Sequence, residues 1–156
     1  MGEVITIGLD IAKSVFQVHG VDAEGATVLR KQLRRAQVLT FFSRQPRCLV
    51  GLEACATAHY WARELRALGH EVRLMPAQYV KAYVKRNKTD AADACALLEA
   101  ARCAEIVPVR VKSIEQQALQ EIENLREEHN KKILEEELKL IQAVATQREE
   151  AAVKQR

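Results

Sequence analysis

Hydrophobic and polar positions change rhythm several times along this chain, and each change marks an element. Residues 4–10 (VITIGLD) are β-branched and apolar and predict a buried strand. Residues 14–21 (SVFQVHGV) predict a second. Residues 22–25 (DAEG) carry turn chemistry, and an extended pattern resumes over 26–31, so the three pieces form an antiparallel meander. A short helical pattern over 37–42 closes before Pro46. The apolar run 48–52 (CLVGL) predicts a central strand. Residues 57–68 (TAHYWARELRAL) have helical periodicity and stop at Gly69. Residues 71–75 (EVRLM) form another strand, ended by Pro76, and 77–88 have no clear pattern. Residues 90–102 (DAADACALLEAAR) are strongly helical, with Thr89 or Asp90 as the cap. A short extended piece is expected over 105–111.

A hairpin meander followed by alternating helices and strands implies an α/β domain, a mixed sheet with flanking helices. The order is that of the ribonuclease-H-like fold, an analogy that by itself carries no function. Residues 1–112 are read as this domain and 113–156 as a separate helical, coiled-coil segment. The second part contains no Gly or Pro, and its apolar residues recur at three- and four-residue steps, which predicts a long amphipathic C-terminal helix. Its register breaks near 129–132, against a perfect heptad seam. An amphipathic helix buries its stripe against something, so a homodimer or higher oligomer is expected.

Composition narrows the function classes. The chain has 156 residues, 48% of them hydrophobic and only 4% aromatic, so aliphatic side chains must fill the core. No apolar run approaches the ~20 residues of a membrane helix, and the N-terminus does not resemble a signal peptide; a cytoplasmic location is the expectation. Cys48, Cys55, Cys95 and Cys103 make no zinc spacing and read as small buried hydrophobes. The net charge of +3 hides an asymmetry: residues 121–156 hold nine acidic and seven basic side chains, leaving 12 acidic and 17 basic, a net of +5, for residues 1–120. A basic front domain is compatible with nucleic acid.

Four carboxylates then stand out. Asp10 ends the first strand, Glu53 follows the run CLVGL, and Asp90 and Asp93 share one face at the start of a helix. In this strand order the first and fourth strands are neighbours, so their ends are expected to put Asp10 near Glu53, with the helix bringing Asp90 and Asp93 over the same spot. Such a cluster is costly unless divalent cations neutralise it. Oxygen donors favour Mg²⁺ or Mn²⁺, and two such ions ~4 Å apart serve phosphodiester transfer. Singly, each acid has an ordinary explanation: a turn former, a helix-entry residue, or acids favoured by the helix dipole. Only the joint placement points to chemistry.

A basic stretch with interleaved tyrosines (Tyr79, Lys81, Tyr83, Lys85, Arg86, Lys88) precedes Asp90 and suits phosphates and stacked bases. A solvated loop with its tyrosines packed inward is the competing reading. Lys13 is a second candidate for phosphate contact, or a surface lysine. Arg30, Lys31, Arg34 and Arg35 read as a solvated sheet edge, Trp61 as core, and His59 as a packed or surface histidine in preference to a ligand-orienting one.

The segments GLDIAKSVFQVHGVD, VGLEACATAHYWARELRALGHEV and YVKRNKTDAADA resemble the DEDD transposases of insertion sequences, a family that includes Piv-type DNA invertases and bridge-RNA-guided recombinases. The resemblance runs from about residue 5 to 119 and fades in the tail. It implies that Asp10, Glu53, Asp90 and Asp93 are the DEDD metal ligands and catalytic residues, that Mg²⁺ or Mn²⁺ is the cofactor, and that the activity is DNA strand cleavage and exchange. It also implies a structured guide RNA as partner. Family members complete their site with a C-terminal domain bearing a serine, and the chain ends before such a domain; Ser14, Ser43 and Ser113 have no matching context. Two readings follow: the N-terminal catalytic domain of a transposase, or a non-catalytic nucleic-acid-binding and dimerisation fragment of one. An actin-like ATPase, a third class, would need clustered glycines for its phosphate loops, and the six glycines here are scattered.

Overall fold

A computed structural model describes residues 2–84 and 89–155. It divides into two units, 1–113 and 114–156. In the first, five strands form one mixed sheet in the order β3-β2-β1-β4-β5. They are β1 (Thr6–Asp10), β2 (Val15–Val21), β3 (Thr27–Arg34), β4 (Leu49–Glu53) and β5 (Glu71–Met75). β1, β2 and β3 pair antiparallel, while β4 and β5 run parallel to β1. The meander turns at Gly25, whose φ of 83° is a conformation that glycine adopts without a Cβ penalty. The Asp22 carboxylate accepts from the backbone N–H of Glu24 and Ala26 and holds that turn.

Side-chain alternation gives the sheet two apolar faces. Ile7, Leu9, Phe16, Val18, Leu33, Val50, Leu52 and Leu74 point to one of them. There they pack on α1 (Val38–Ser43) and α2 (Ala58–Ala67) through Phe42, Trp61 and Leu65. Trp61 meets Phe16 edge-on with ring centroids 5.1 Å apart. It is core, as its helical position suggested, and 3% exposed. The opposite face takes α4 (Asp90–Arg102), whose Ala94, Leu97, Leu98 and Ala101 are buried. Thr89 is its N-cap, its hydroxyl accepting from the Ala92 N–H at 3.2 Å. α2 stops at Gly69, which turns the chain at φ 95°.

Two expectations need correction, and part of one competing reading falls away. The extended piece expected over 105–111 begins later, after a turn at 104–106, and makes one bridge, Val109 to Leu74, with the Val109 N–H donating at 2.7 Å. Pro108 has no N–H to extend a ladder. The cysteines are not uniformly buried: Cys48 is, Cys95 and Cys103 are half-buried, and Cys55 is exposed just past β4. The tyrosines of the basic stretch do not pack inward: beside the short helix α3 (Ala77–Lys81), Tyr79 and Tyr83 are exposed.

The second unit is one helix, α5 (Ile114–Lys154), with no buried residue and no interruption near 129–132. Leu125, Leu134, Leu138 and Ile141 are among its exposed apolar residues. Glu128 and Lys132 pair at 2.8 Å one turn apart. Among the described residues, no helix is long and apolar enough to cross a membrane.

Candidate carboxylate site

β1 and β4 are parallel neighbours with Leu9 opposite Leu52. Asp10 and Glu53 are the next residues on each strand, at the carboxyl ends and one strand spacing apart, ~4.8 Å. Alternation turns both away from the Leu9–Leu52 core and onto the face that carries Gly8 and Gly51. That is the face α4 covers. A Cβ on Gly8 would overlap the Ala94 carbonyl oxygen and lie 2.8 Å from the Leu98 nitrogen. A Cβ on Gly51 would lie 2.6 Å from the Ala101 Cβ and 2.9 Å from the Leu97 oxygen. Glycine at both positions therefore lets the helix backbone sit directly on the two strands that end in Asp10 and Glu53.

The direction of α4 follows from its far end. Arg102 lies against Gly25, in the turn at the end of β2 where Val21 opposes Thr6, the start of β1. Arg73 on β5 fixes the same end, its guanidinium donating to the carbonyls of Ala101, Cys103 and Ile106. The amino end of α4 therefore lies over the carboxyl ends of β1 and β4. Asp93, half-buried, comes immediately before Ala94, whose carbonyl touches Gly8. Asp10, Glu53 and Asp93 are thus brought to one end and one face of the sheet. Asp90 is the first residue of α4, and its side chain lies outside the described residues. Among the described residues, no three His, Cys, Asp or Glu side chains close into a metal-holding group. The arrangement is a convergence of acids at strand ends and a helix start, supplying only oxygen donors, the type that suits a hard divalent cation.

The remaining candidates are dispersed. Lys13 is exposed in the turn after β1, its carbonyl accepting from Arg35. Lys81 is exposed with Tyr79 and Tyr83; Lys85, Arg86 and Lys88 lie outside the described residues. A hydrogen bond between the Tyr83 hydroxyl and the Cys103 thiol is the main reason the tyrosine titrates above, and the cysteine below, its ordinary range. His59 is buried in α2 and accepts from the Lys112 backbone N–H through Nδ1 at 3.0 Å, a packed histidine and no ligand of the acids. Arg30, Lys31, Arg34 and Arg35 lie on and just after β3, an edge strand, and all are exposed. Lys31 stands 5.5 Å over the Phe41 ring and Arg35 5.5 Å over Trp61.

Sequence reading missed Gly8, Gly51 and Arg73. A signal for the glycines was present: each strand ends in Gly-Leu-acid (Gly8-Leu9-Asp10 and Gly51-Leu52-Glu53), the glycine and the acid on one face. Arg73 had none, because its partners are carbonyls some 30 residues further along the chain.

A family model described as transposase, the DEDD type of IS110, matches residues 7–147, well into α5 and beyond residue 119, where the resemblance was expected to fade. The chain is 59% identical over 120 residues to a probable family 20 transposase of Pseudomonas aeruginosa, covering 77% of this chain and 36% of that protein. It is 40% identical over 128 residues to the transposase for insertion sequence element IS1111A of Coxiella burnetii, covering 81% and 35%. The transposase for insertion sequence element IS1328 of Yersinia enterocolitica is 38% identical over 127 residues, covering 81% and 38%. The chain thus spans about a third of the length of these curated relatives. With a match over most of its residues, and acid-bearing strands and helix that share one end of the sheet, the chain belongs to the DEDD transposase family of the IS110 type.

Proposed function

We propose that residues 1–112 are the metal-dependent catalytic domain of a DNA transposase, of ribonuclease-H-like (RuvC-like) fold, and that Asp10, Glu53, Asp90 and Asp93 hold Mg²⁺ or Mn²⁺. The observation that carries the reading is the parallel register of β1 and β4. It sets Asp10 beside Glu53 on the face where the amino end of α4 brings Asp93. The strand order β3-β2-β1-β4-β5, with an antiparallel meander and two parallel strands, supports the fold assignment. Bound divalent ions would polarise a phosphodiester and activate the attacking oxygen. The chain's own residues orient those ligands: Gly8 and Gly51 admit α4, and Arg73 fixes its far end. Strand exchange needs a nucleophile from a serine-bearing domain outside these residues, and a guide RNA would select the DNA. Self-association through α5 would bury Leu125, Leu134, Leu138 and Ile141, all exposed in the single chain.

The test is calorimetric titration of Mn²⁺ into the chain and into a folded Asp10→Asn, Asp93→Asn variant. Specific binding lost in the variant supports the site. Equal weak binding in both refutes it and favours the second reading, a nucleic-acid-binding and dimerisation fragment, whose supporting observation is the exposed apolar length of α5. A monomer at high concentration by sedimentation would remove the dimerisation half of that alternative.

A further inference from the structure

Residues 25–52 contain six basic side chains, Arg30, Lys31, Arg34, Arg35, Arg44 and Arg47, and no acidic one. All six are exposed, and none is ion-paired among the described residues. The register of the sheet sorts them. Gly8 opposes His19, which opposes Arg30; Asp10 opposes Gln17, which opposes Gln32; Val15 opposes Arg34. Opposed residues share a face, so Arg30, Gln32 and Arg34 stand on the same face of the sheet as Asp10 and Glu53. Lys31 is on the other face, over Phe41.

The helix does not extend its cover to this row. α4 packs on β1, β2, β4 and β5, and Arg30, Gln32 and Arg34 on the outer strand are all exposed. Between β3 and α4 lies an open cavity of about 680 Å³ with Arg30 and His19 on one side, Ala92, Cys95 and Glu99 on the other, and Tyr83 and Thr89 also lining it. Gln32 lies two strand spacings from Asp10, ~10 Å. Arg30 to Arg34 spans four residues of strand, ~14 Å, the axial length of about four nucleotides of one DNA strand.

We infer that this face of β3 is a track for the DNA backbone. Arg30 and Arg34 pair with phosphates flanking the scissile position, Gln32 hydrogen-bonds between them, and Gln17 bridges the track to Asp10. The inference rests on the reading of the chain as one that acts on DNA. It adds a substrate-positioning surface on a different strand from the carboxylates. Arg44 and Arg47 follow α1 and precede β4, and lie off this row.

The test is fluorescence anisotropy of the full chain with a labelled mixed-sequence DNA duplex, in chelator, across a salt series. Arg30→Gln with Arg34→Gln is compared with the charge-matched Arg44→Gln with Arg47→Gln. The first pair lowers the slope of log affinity against log salt by ~1.8, at ~0.9 per phosphate contact, and the second by less than half as much. Arg34→Gln alone carries the test if the double variant folds poorly, with a loss of ~0.9. Equal losses in both pairs, no change in either, or no duplex binding by the parent chain overturns the track. Mn²⁺ calorimetry on the same proteins separates the two ideas. Metal binding kept while the track fails leaves the carboxylate site standing. Arginine-dependent DNA binding with no metal binding leaves the track without its catalytic centre.

Discussion

Gly8→Ala tests how the helix and the acids depend on one another. The added Cβ would overlap the Ala94 carbonyl oxygen and stand 2.8 Å from the Leu98 nitrogen, both backbone atoms of α4. Neither can rotate away, so the helix must lift by roughly 2 Å to reach ordinary contact at ~3.5–4.0 Å. Overpacking of this kind costs ~1–3 kcal/mol, and the rigid partner puts Gly8 at the upper end. With a urea slope of ~1–3 kcal/mol per molar for a small domain, the midpoint falls by roughly 1–3 M. Gly51→Ala is the internal control, because its nearest obstacle is a side chain, the Ala101 Cβ at 2.6 Å. Ala101→Gly should recover part of the Gly51→Ala loss in a double-mutant cycle, with a favourable coupling. Ala94→Gly should recover nothing for Gly8→Ala. The assay is urea unfolding of the four single and two double variants, followed by Mn²⁺ calorimetry on those that remain folded. A Gly8→Ala protein as stable as the parent, or one rescued by Ala94→Gly, would refute the close backbone approach.

Other outcomes follow from the same contacts. Arg73→Met removes a guanidinium that donates to three carbonyls in and just beyond the last turn of α4, and urea unfolding should show a loss of ~1.5–3 kcal/mol, the range for hydrogen bonds to charged groups. Burial first, then nearby cations, hold His59 and His19 below the ordinary imidazole value of 6.5, with Glu99 opposing the shift at His19. The unfolded chain therefore binds more protons below that value, and stability should fall as pH drops from 7 through 6.5 toward 5. His59→Gln should flatten that dependence, and an unchanged slope in stability against pH would refute the assignment. Burial pushes the Cys48 thiol up to about 11, whereas Cys55 is exposed. An alkylating reagent at pH 8 should therefore modify Cys55 in the native protein and Cys48 only in denaturant, as read by peptide mass spectrometry.

The sequence by itself determined the elements whose signals are local. The β-branched, apolar run of β1, the strand runs of β2 and β5, the alanine- and leucine-rich α4 and the Gly-free α5 lie close to where their patterns put them. Thr89 is the cap that its residue type suggested. The mixed sheet with flanking helices was legible in element order, since a meander followed by alternating helices and strands has few ways to bury its apolar faces. The four acids could be named from their local contexts. That Asp10 and Glu53 would meet was an expectation from the strand order, but their actual placement depends on the register of β1 against β4 and on the direction of α4 across the sheet. Those are fixed by contacts between residues about 40 to 90 positions apart: Leu9 with Leu52, Gly8 with Ala94. The extended piece expected over 105–111 is limited to one bridge because pairing needs free N–H groups, and Pro108 lacks one. Only the tertiary structure assigned Arg30, Gln32 and Arg34 to the face of the acids and Lys31 to the other, because a strand's alternation acquires a meaning only when its neighbour's register is known.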